Sequence, residues 1–256
     1  MWLIRYVRLI QAFAHAYWMV WMVFPHLSKA QKFAAIQGWS RKVLHWMGVE
    51  LASDSVDHFD PLDPSHTRSA TPMLWVANHV SWLDILVIQA IHPCVFVAKS
   101  EVLHWPVLGT LAKACDVIFV NRASAVGARQ MVHQVNRVLS QGLCVAAFPE
   151  GTTSEGQTVK LFHANLFEAV VQHRLPVQPI ALHYSDLRTG AACPQVAYVD
   201  DIGFMSSLHQ VMKTGGVRAR VRLGEQLCAM GHSRRTLAML SHQSVCTHLR
   251  ALQQAR

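Results

Sequence analysis

The spacing of hydrophobic and polar positions divides this chain into an apolar helical start and a long alternating remainder. Residues 2–24, WLIRYVRLIQAFAHAYWMVWMVF, place Arg5 and Arg8 ahead of a run, Ala12–Phe24, that only His15 interrupts. A helix spanning a bilayer needs about 20 consecutive apolar residues, and this run is shorter. Trp2, Tyr6, Trp18, Trp21 and Met22 suit a helix lying at a membrane interface or dipping into it, with Pro25 ending it. The small-residue cleavage site of a secretory signal is missing, so the segment is expected to be retained. From Ser28 to Met47, Phe33, Ile36, Val43, Leu44 and Met47 recur among basic residues, the pattern of an amphipathic helix. The pair reads as a helical hairpin on the membrane over residues 1–50; a hairpin buried in a soluble protein is the alternative.

Residues 52–72 are polar, acidic and Pro-containing, a loop with one short strand near Val56. Beyond it, strand-like apolar runs fall at 73–77, 94–98, 116–120, 143–148, 177–183, 195–199 and 217–223. Helical patterns fall at 82–91, 124–140, 160–173, 204–214 and 233–254. Such alternation over 51–256 predicts an α/β sandwich around a sheet with several parallel strands.

Charge sharpens the picture. The formal net charge is +8 over 256 residues, with 52% hydrophobic and only 15% charged residues. Residues 1–49 carry Arg5, Arg8, Lys29, Lys32, Arg41 and Lys42 and no acid, and residues 202–256 carry eight Lys or Arg against Glu225 alone. A basic, Trp-rich first segment points to an anionic lipid surface rather than to nucleic acid. The six cysteines are scattered with no C-x-x-C pair, which argues for buried thiols in a reducing compartment and against a disulfide framework or a zinc site.

Candidate chemistry concentrates at strand ends. In Met73-Leu-Trp-Val-Ala-Asn-His-Val-Ser-Trp-Leu-Asp84 an apolar strand gives way to His79, and Ser81-x-x-Asp84 has the spacing of a capping box. His79 would sit in a strand-to-helix turn, where a carboxylate can fix its tautomer and let it take a proton. A helix cap beside an ordinary turn histidine explains the stretch equally well. In Leu143–Gly156 a buried strand runs into Pro-Glu150-Gly151-Thr152, a turn able to present backbone N–H groups to an anion. Its glycine spacing resembles a P-loop, but Gln157 replaces the lysine such a loop needs. Arg122, after the strand-like Asp116–Val120, has the chemistry to grip phosphate or carboxylate bidentately. The apolar run Val177–Leu182 is broken by Pro179, the mark of an edge or bulged strand. No G-x-S-x-G elbow and no H-E-x-x-H is present, so a histidine base here would act on the substrate directly.

Taken together, these residues resemble the glycerolipid acyltransferases. Asn78-His79-Val-Ser-Trp-Leu-Asp84 is similar to their H-x4-D motif and Phe148-Pro-Glu150-Gly151-Thr152 to their F-P-E-G-T motif. Val120-Asn-Arg122, with Lys99 and Gly109 upstream, and Val177–Leu182 resemble the two remaining blocks. The resemblance implies a glycerol-3-phosphate acyltransferase-like αβ sandwich at the cytoplasmic face of a bacterial inner membrane. His79 would be the general base on a lysolipid hydroxyl that attacks the thioester of acyl-CoA or acyl carrier protein. Asp84 would orient His79, and Arg122, Glu150, Gly151 and Thr152 would hold the acceptor's head. No cofactor or metal is implied. The expected acceptor is 1-acyl-sn-glycerol-3-phosphate. Thr153, where many such enzymes have arginine, brings in lyso-ornithine lipid as an alternative, and a non-catalytic lipid-binding protein is the reading from another class.

Overall fold

In the computed structural model, residues 2–53, 71–105, 107–121, 125–199 and 201–255 are described. The chain opens with α1 (Trp2–Trp18), which continues through one wider π turn and one tighter 3-10 turn to His26 before α2 (Lys29–Met47). Ser28 starts α2 with a reciprocal capping box, its side chain accepting from the Gln31 N–H while the Gln31 side chain accepts from the Ser28 N–H.

Seven strands then form one sheet in the order β1-β7-β6-β2-β5-β3-β4. They are β1 (Val49–Ser53), β2 (Leu74–Ala77), β3 (Val95–Lys99), β4 (Ile118–Val120), β5 (Val145–Ala147), β6 (Val177–Asp186) and β7 (Val217–Leu223). All neighbours are parallel except β6 and β7. Between them run α3 (Leu83–Ile91), α4 (Leu108–Ala114), α5 (Ala125–Ser140), α6 (Glu168–His173), α7 (Phe204–Lys213) and finally α8 (Arg234–Gln254). Strand side chains alternate between faces. Met73, Trp75 and Ala77 therefore join α2, α3 and α7 on one side, and Leu74 and Val76 join α5, α6 and α8 on the other. With both faces covered, β2 is buried at every position, as parallel strands of an α/β sandwich are.

The N-terminal hairpin packs on this sandwich. Leu9 and Ala12 of α1 and Val43, Leu44 and Met47 of α2 belong to the main core, and Trp39 Nε1 donates to the Ala12 carbonyl at 3.0 Å. Two of its basic residues act as helix caps. Arg41 Nε donates to the Ala90 carbonyl at 2.8 Å and Gln37 Nε2 to that of Ile91 at 2.9 Å, which satisfies the open end of α3. Arg5 does the same at the end of α7, donating to the carbonyls of Met212 and Thr214. The outer face of α1 and the turn after it expose Leu3, Ile4, Val7, Ile10, Trp18, Trp21 and Met22. Among the described residues no helix is long and apolar enough to cross a membrane.

Several expectations shift. Residues 195–199 are not a strand; Pro194–Val196 form a 3-10 turn, because proline has no N–H for a ladder and its ring favours helical φ. The helix expected from 160 begins only at Glu168, after a 3-10 turn over Ala164–Phe167. β1 and α4 carry too little periodicity to have been read. The strand expected near Val56 lies outside the described residues. Pro179 sits in β6, an internal strand, not at an edge. Gly224 N donates to the Pro179 carbonyl at 2.9 Å, and the return bond that proline cannot make comes from Gln178 Nε2, which donates to the Gly224 carbonyl at 2.6 Å.

Candidate active site

β2 and β5 are parallel neighbours in the register Val76 to Ala147. Carrying that register past the strand ends sets residue 79 beside residue 150. The two motifs therefore leave the sheet side by side at its carboxyl edge, where open α/β sheets place ligands. The His79 backbone N–H donates to Glu150 Oε1 at 2.7 Å, and the Lys160 N–H donates to Glu150 Oε2 at 2.8 Å. Ser154 N returns a bond to the His79 carbonyl at 2.8 Å. Glu150, expected to face the acceptor's head, is instead buried with both oxygens engaged by main chain, so it fastens the two turns together. Burial raises its carboxyl above the ordinary range, against the pull of the Lys160 and His79 N–H groups.

His79 and Asp84 meet directly, Nδ1 to Oδ2 at 2.7 Å, with Asp84 fully buried and the His79 side chain 19% exposed. The same Oδ2 accepts from the N–H of Val80 at 2.7 Å and of Ser81 at 2.9 Å. Half of the expected capping box is thus present: Asp84 reaches back to the Ser81 N–H, whereas Ser81 Oγ has no partner among the described residues. Asp84 both closes the start of α3 and holds Nδ1–H of the imidazole. That leaves the Nε2 lone pair free to accept a proton. The ring lies flat on Phe148, centroids 3.9 Å apart and planes 5° from parallel, which fixes its second rotational freedom.

His79 opens onto a cleft of about 440 Å³. Its walls are apolar: Phe13 and Ala16 of α1, Ile36 and Trp39 of α2, and Ile85 and Leu86 of α3 are representative. The hairpin and the sandwich thus enclose one long greasy slot. Gly151, Thr152 and Thr153 form its polar wall beside the imidazole. Gly151 turns at φ +77°, a conformation glycine adopts without strain. Further along the turn, a Cβ at Gly156 would meet Val80 Cγ2 at 2.8 Å, so the turn can pack on Val80 only without a side chain. The Thr153 hydroxyl donates to the Tyr198 carbonyl, and Lys160 Nζ donates to the Thr153 carbonyl at 3.0 Å.

The structure therefore brings together His79, Asp84, Glu150, Gly151 and Thr152. Arg122 lies outside the described residues. Two participants were not singled out from sequence. Asn78 exchanges both amide bonds with the Leu182 main chain, at 2.9 and 2.8 Å, and Tyr184 donates its hydroxyl to Asp84 Oδ1 at 2.6 Å. Asn78 lay within the motif and Tyr184 just beyond the fourth block, but pairing across 104 and 100 residues leaves no local signal. No cluster of His, Cys, Asp and Glu among the described residues has the geometry to hold a metal ion.

Comparison with known proteins agrees with this geometry. Residues 62–183 match the family model described as Acyltransferase. The chain is 34% identical over 175 residues to the lyso-ornithine lipid O-acyltransferase of Pseudomonas aeruginosa, covering 68% of this chain and 66% of that protein. It is 35% identical over 158 residues to the 1-acyl-sn-glycerol-3-phosphate acyltransferase of Neisseria meningitidis, covering 62% of this chain and 60% of that protein. The matches thus span just under two thirds of these relatives' length. The crystal structure of the 1-acyl-sn-glycerophosphate acyltransferase of Thermotoga maritima superposes with a TM-score of 0.67 over 98% of both chains at 17% identity, a likeness of fold. His79, Asp84 and Glu150 all lie inside residues 62–183, the stretch of this chain that is similar to the acyltransferase family.

Proposed function

We propose that this protein transfers an acyl chain from a thioester donor, acyl-CoA or acyl carrier protein, to the free hydroxyl of a lysolipid at a membrane surface. The observation that carries the reading is the imidazole of His79, held at Nδ1 by a buried carboxylate and open at Nε2 onto an apolar slot. Nε2 takes the proton of the acceptor hydroxyl as its oxygen attacks the thioester carbonyl. The tetrahedral intermediate collapses, the C–S bond breaks, and the imidazolium returns the proton to the leaving thiolate. Asp84 stabilises the imidazolium in between. The acyl chain occupies the slot between hairpin and sandwich. Gly151 and Thr152 wall the acceptor's head, Glu150 holds their turn in place, and Arg122 follows β4 as a cation for that head.

The exposed apolar stripe of α1, with Trp18 at its end and Trp21 just after it, suits insertion into the headgroup region, with the cytoplasmic face of the inner membrane as the expected site. 1-Acyl-sn-glycerol-3-phosphate is the acceptor of this reading. Lyso-ornithine lipid is favoured by one feature, Thr153, whose hydroxyl ties the loop to Tyr198 where an arginine would offer charge. The test is acyl transfer to each acceptor with each donor by wild type and His79→Ala. Loss of turnover in a folded, membrane-bound variant is expected; near wild-type turnover would remove His79 as the base.

A further inference from the structure

We propose that Tyr184 is a positioning residue for the His79–Asp84 pair, its hydroxyl setting how strongly the carboxylate holds the imidazole. This rests on the reading of His79 as general base. Asp84 carries a fully buried negative charge, and among the described residues its only counter-charge in contact is the imidazolium formed during the reaction. Its stability depends on four hydrogen bonds, three at Oδ2 and one at Oδ1. The three at Oδ2 come from the histidine and its own turn. The one at Oδ1 comes from a distant strand, and Tyr184 is its sole donor among the described residues.

The fold goes to some length to bring Tyr184 there. β2 pairs with β6 only up to Ala77 and Ile180. Beyond that point the Asn78 side chain replaces the missing strand, accepting from the Leu182 N–H and donating to the Leu182 carbonyl. On its other side β6 is laddered to β7 through Tyr184 and Ala219 to Asp186 and Val217, so it runs on past the end of β2, and Tyr184, two residues beyond Leu182 and on the same face, lies over the start of α3. Burial and the adjacent Asp84 charge push its phenol well above the ordinary range, so it remains a donor at any working pH. A phenol that shares the carboxylate's charge weakens the pull on Nδ1–H. Removing it concentrates that charge on the side of the imidazole, which then keeps its proton to higher pH. The other titratable groups bearing on the pair are Glu150 and Lys160, across the β5 turn, and His15 of α1 and Lys99 at the end of β3, which line the same cleft.

The experiment follows both activity and proton binding in the full-length protein. Tyr184→Phe keeps the ring and deletes the hydroxyl; 3-fluorotyrosine at position 184 keeps the hydroxyl and makes it a stronger donor. For Tyr184→Phe the acid limb of the kcat/KM profile is expected to move up by about one pH unit, with activity below the limb falling roughly tenfold. The fluorinated variant is expected to move it down. In parallel, the His79 imidazole is titrated by NMR, its signal identified by its loss in His79→Ala, and the same opposed shifts are expected. Folded variants with both readouts unmoved would overturn the proposal. If Tyr184→Phe does not fold, the fluorinated variant decides alone: a downward shift supports the proposal and no shift ends it. If wild type proves inactive on every acceptor tried, the general-base reading fails, and the NMR titration still judges Tyr184.

Discussion

Replacing Glu150 with glutamine separates two roles that its position in the motif leaves open. The carboxylate accepts from the His79 N–H at 2.7 Å and from the Lys160 N–H at 2.8 Å. An amide offers one accepting oxygen, so one of these N–H groups would face an NH2 donor in a site only 4% exposed. Losing one hydrogen bond to a charged group costs about 1.5–3 kcal/mol, and a buried unmade donor adds a further cost of about 1–3 kcal/mol. Relief from burying the charge offsets part of this, since burial is the largest influence on the carboxyl. A net loss of about 2 kcal/mol lowers Tm by roughly 4–8 °C in a chain of this size. The two turns also loosen, so kcat falls while KM for the acceptor changes little. Because the native carboxyl is raised above its unfolded value, the folded state keeps that proton to higher pH than the unfolded chain. Wild-type stability contributed by this group is therefore full below about 4.5 and declines as pH rises through the raised value. The Glu150→Gln variant, with no proton to lose at this position, lacks that slope. Thermal melts across pH, paired with initial rates at varied acceptor concentration, give all three quantities. An unchanged Tm with a large rise in acceptor KM alone would refute the fastening role and return Glu150 to the acceptor's head.

Asp84→Asn, which cannot accept all three bonds now at Oδ2, is expected to lower kcat on the order of 10⁴-fold, as when a histidine loses its orienting carboxylate in a serine hydrolase triad; single-turnover rates check this, and a loss below about tenfold would argue that α3 capping is its main task. Ile10→Glu together with Trp21→Glu alters only exposed positions of the N-terminal stripe. Each side chain withdrawn from lipid forfeits about 1.5–3 kcal/mol, so co-sedimentation with anionic vesicles should drop at least roughly tenfold. Unchanged binding would leave that face without its proposed role.

Local pattern was enough for much of this protein. Residues whose partners lie within a few positions announce themselves: the amphipathic helix from Ser28, the apolar strands 73–77 and 217–223, and the pairing of His79 with a carboxylate five residues later. Their forces act along a single helix turn or strand, so spacing encodes them. Tertiary structure decided what required distant segments to meet. The 76-to-147 strand register places Glu150 on the His79 main chain rather than before the substrate. Arg5 and Arg41, read from composition as part of a lipid-facing basic surface, cap helices in the core because open carbonyls at buried helix ends need donors. Gln178 explains how a proline tolerates an internal strand. Tyr184 reaches Asp84 because β6, laddered to β7, runs on past the end of β2, with Asn78 bonded to its Leu182 main chain. The sequence by itself pointed to His79 and Asp84 as a pair; the sheet's register determined what surrounds them, because hydrogen bonds between residues far apart in the chain leave no periodicity to read.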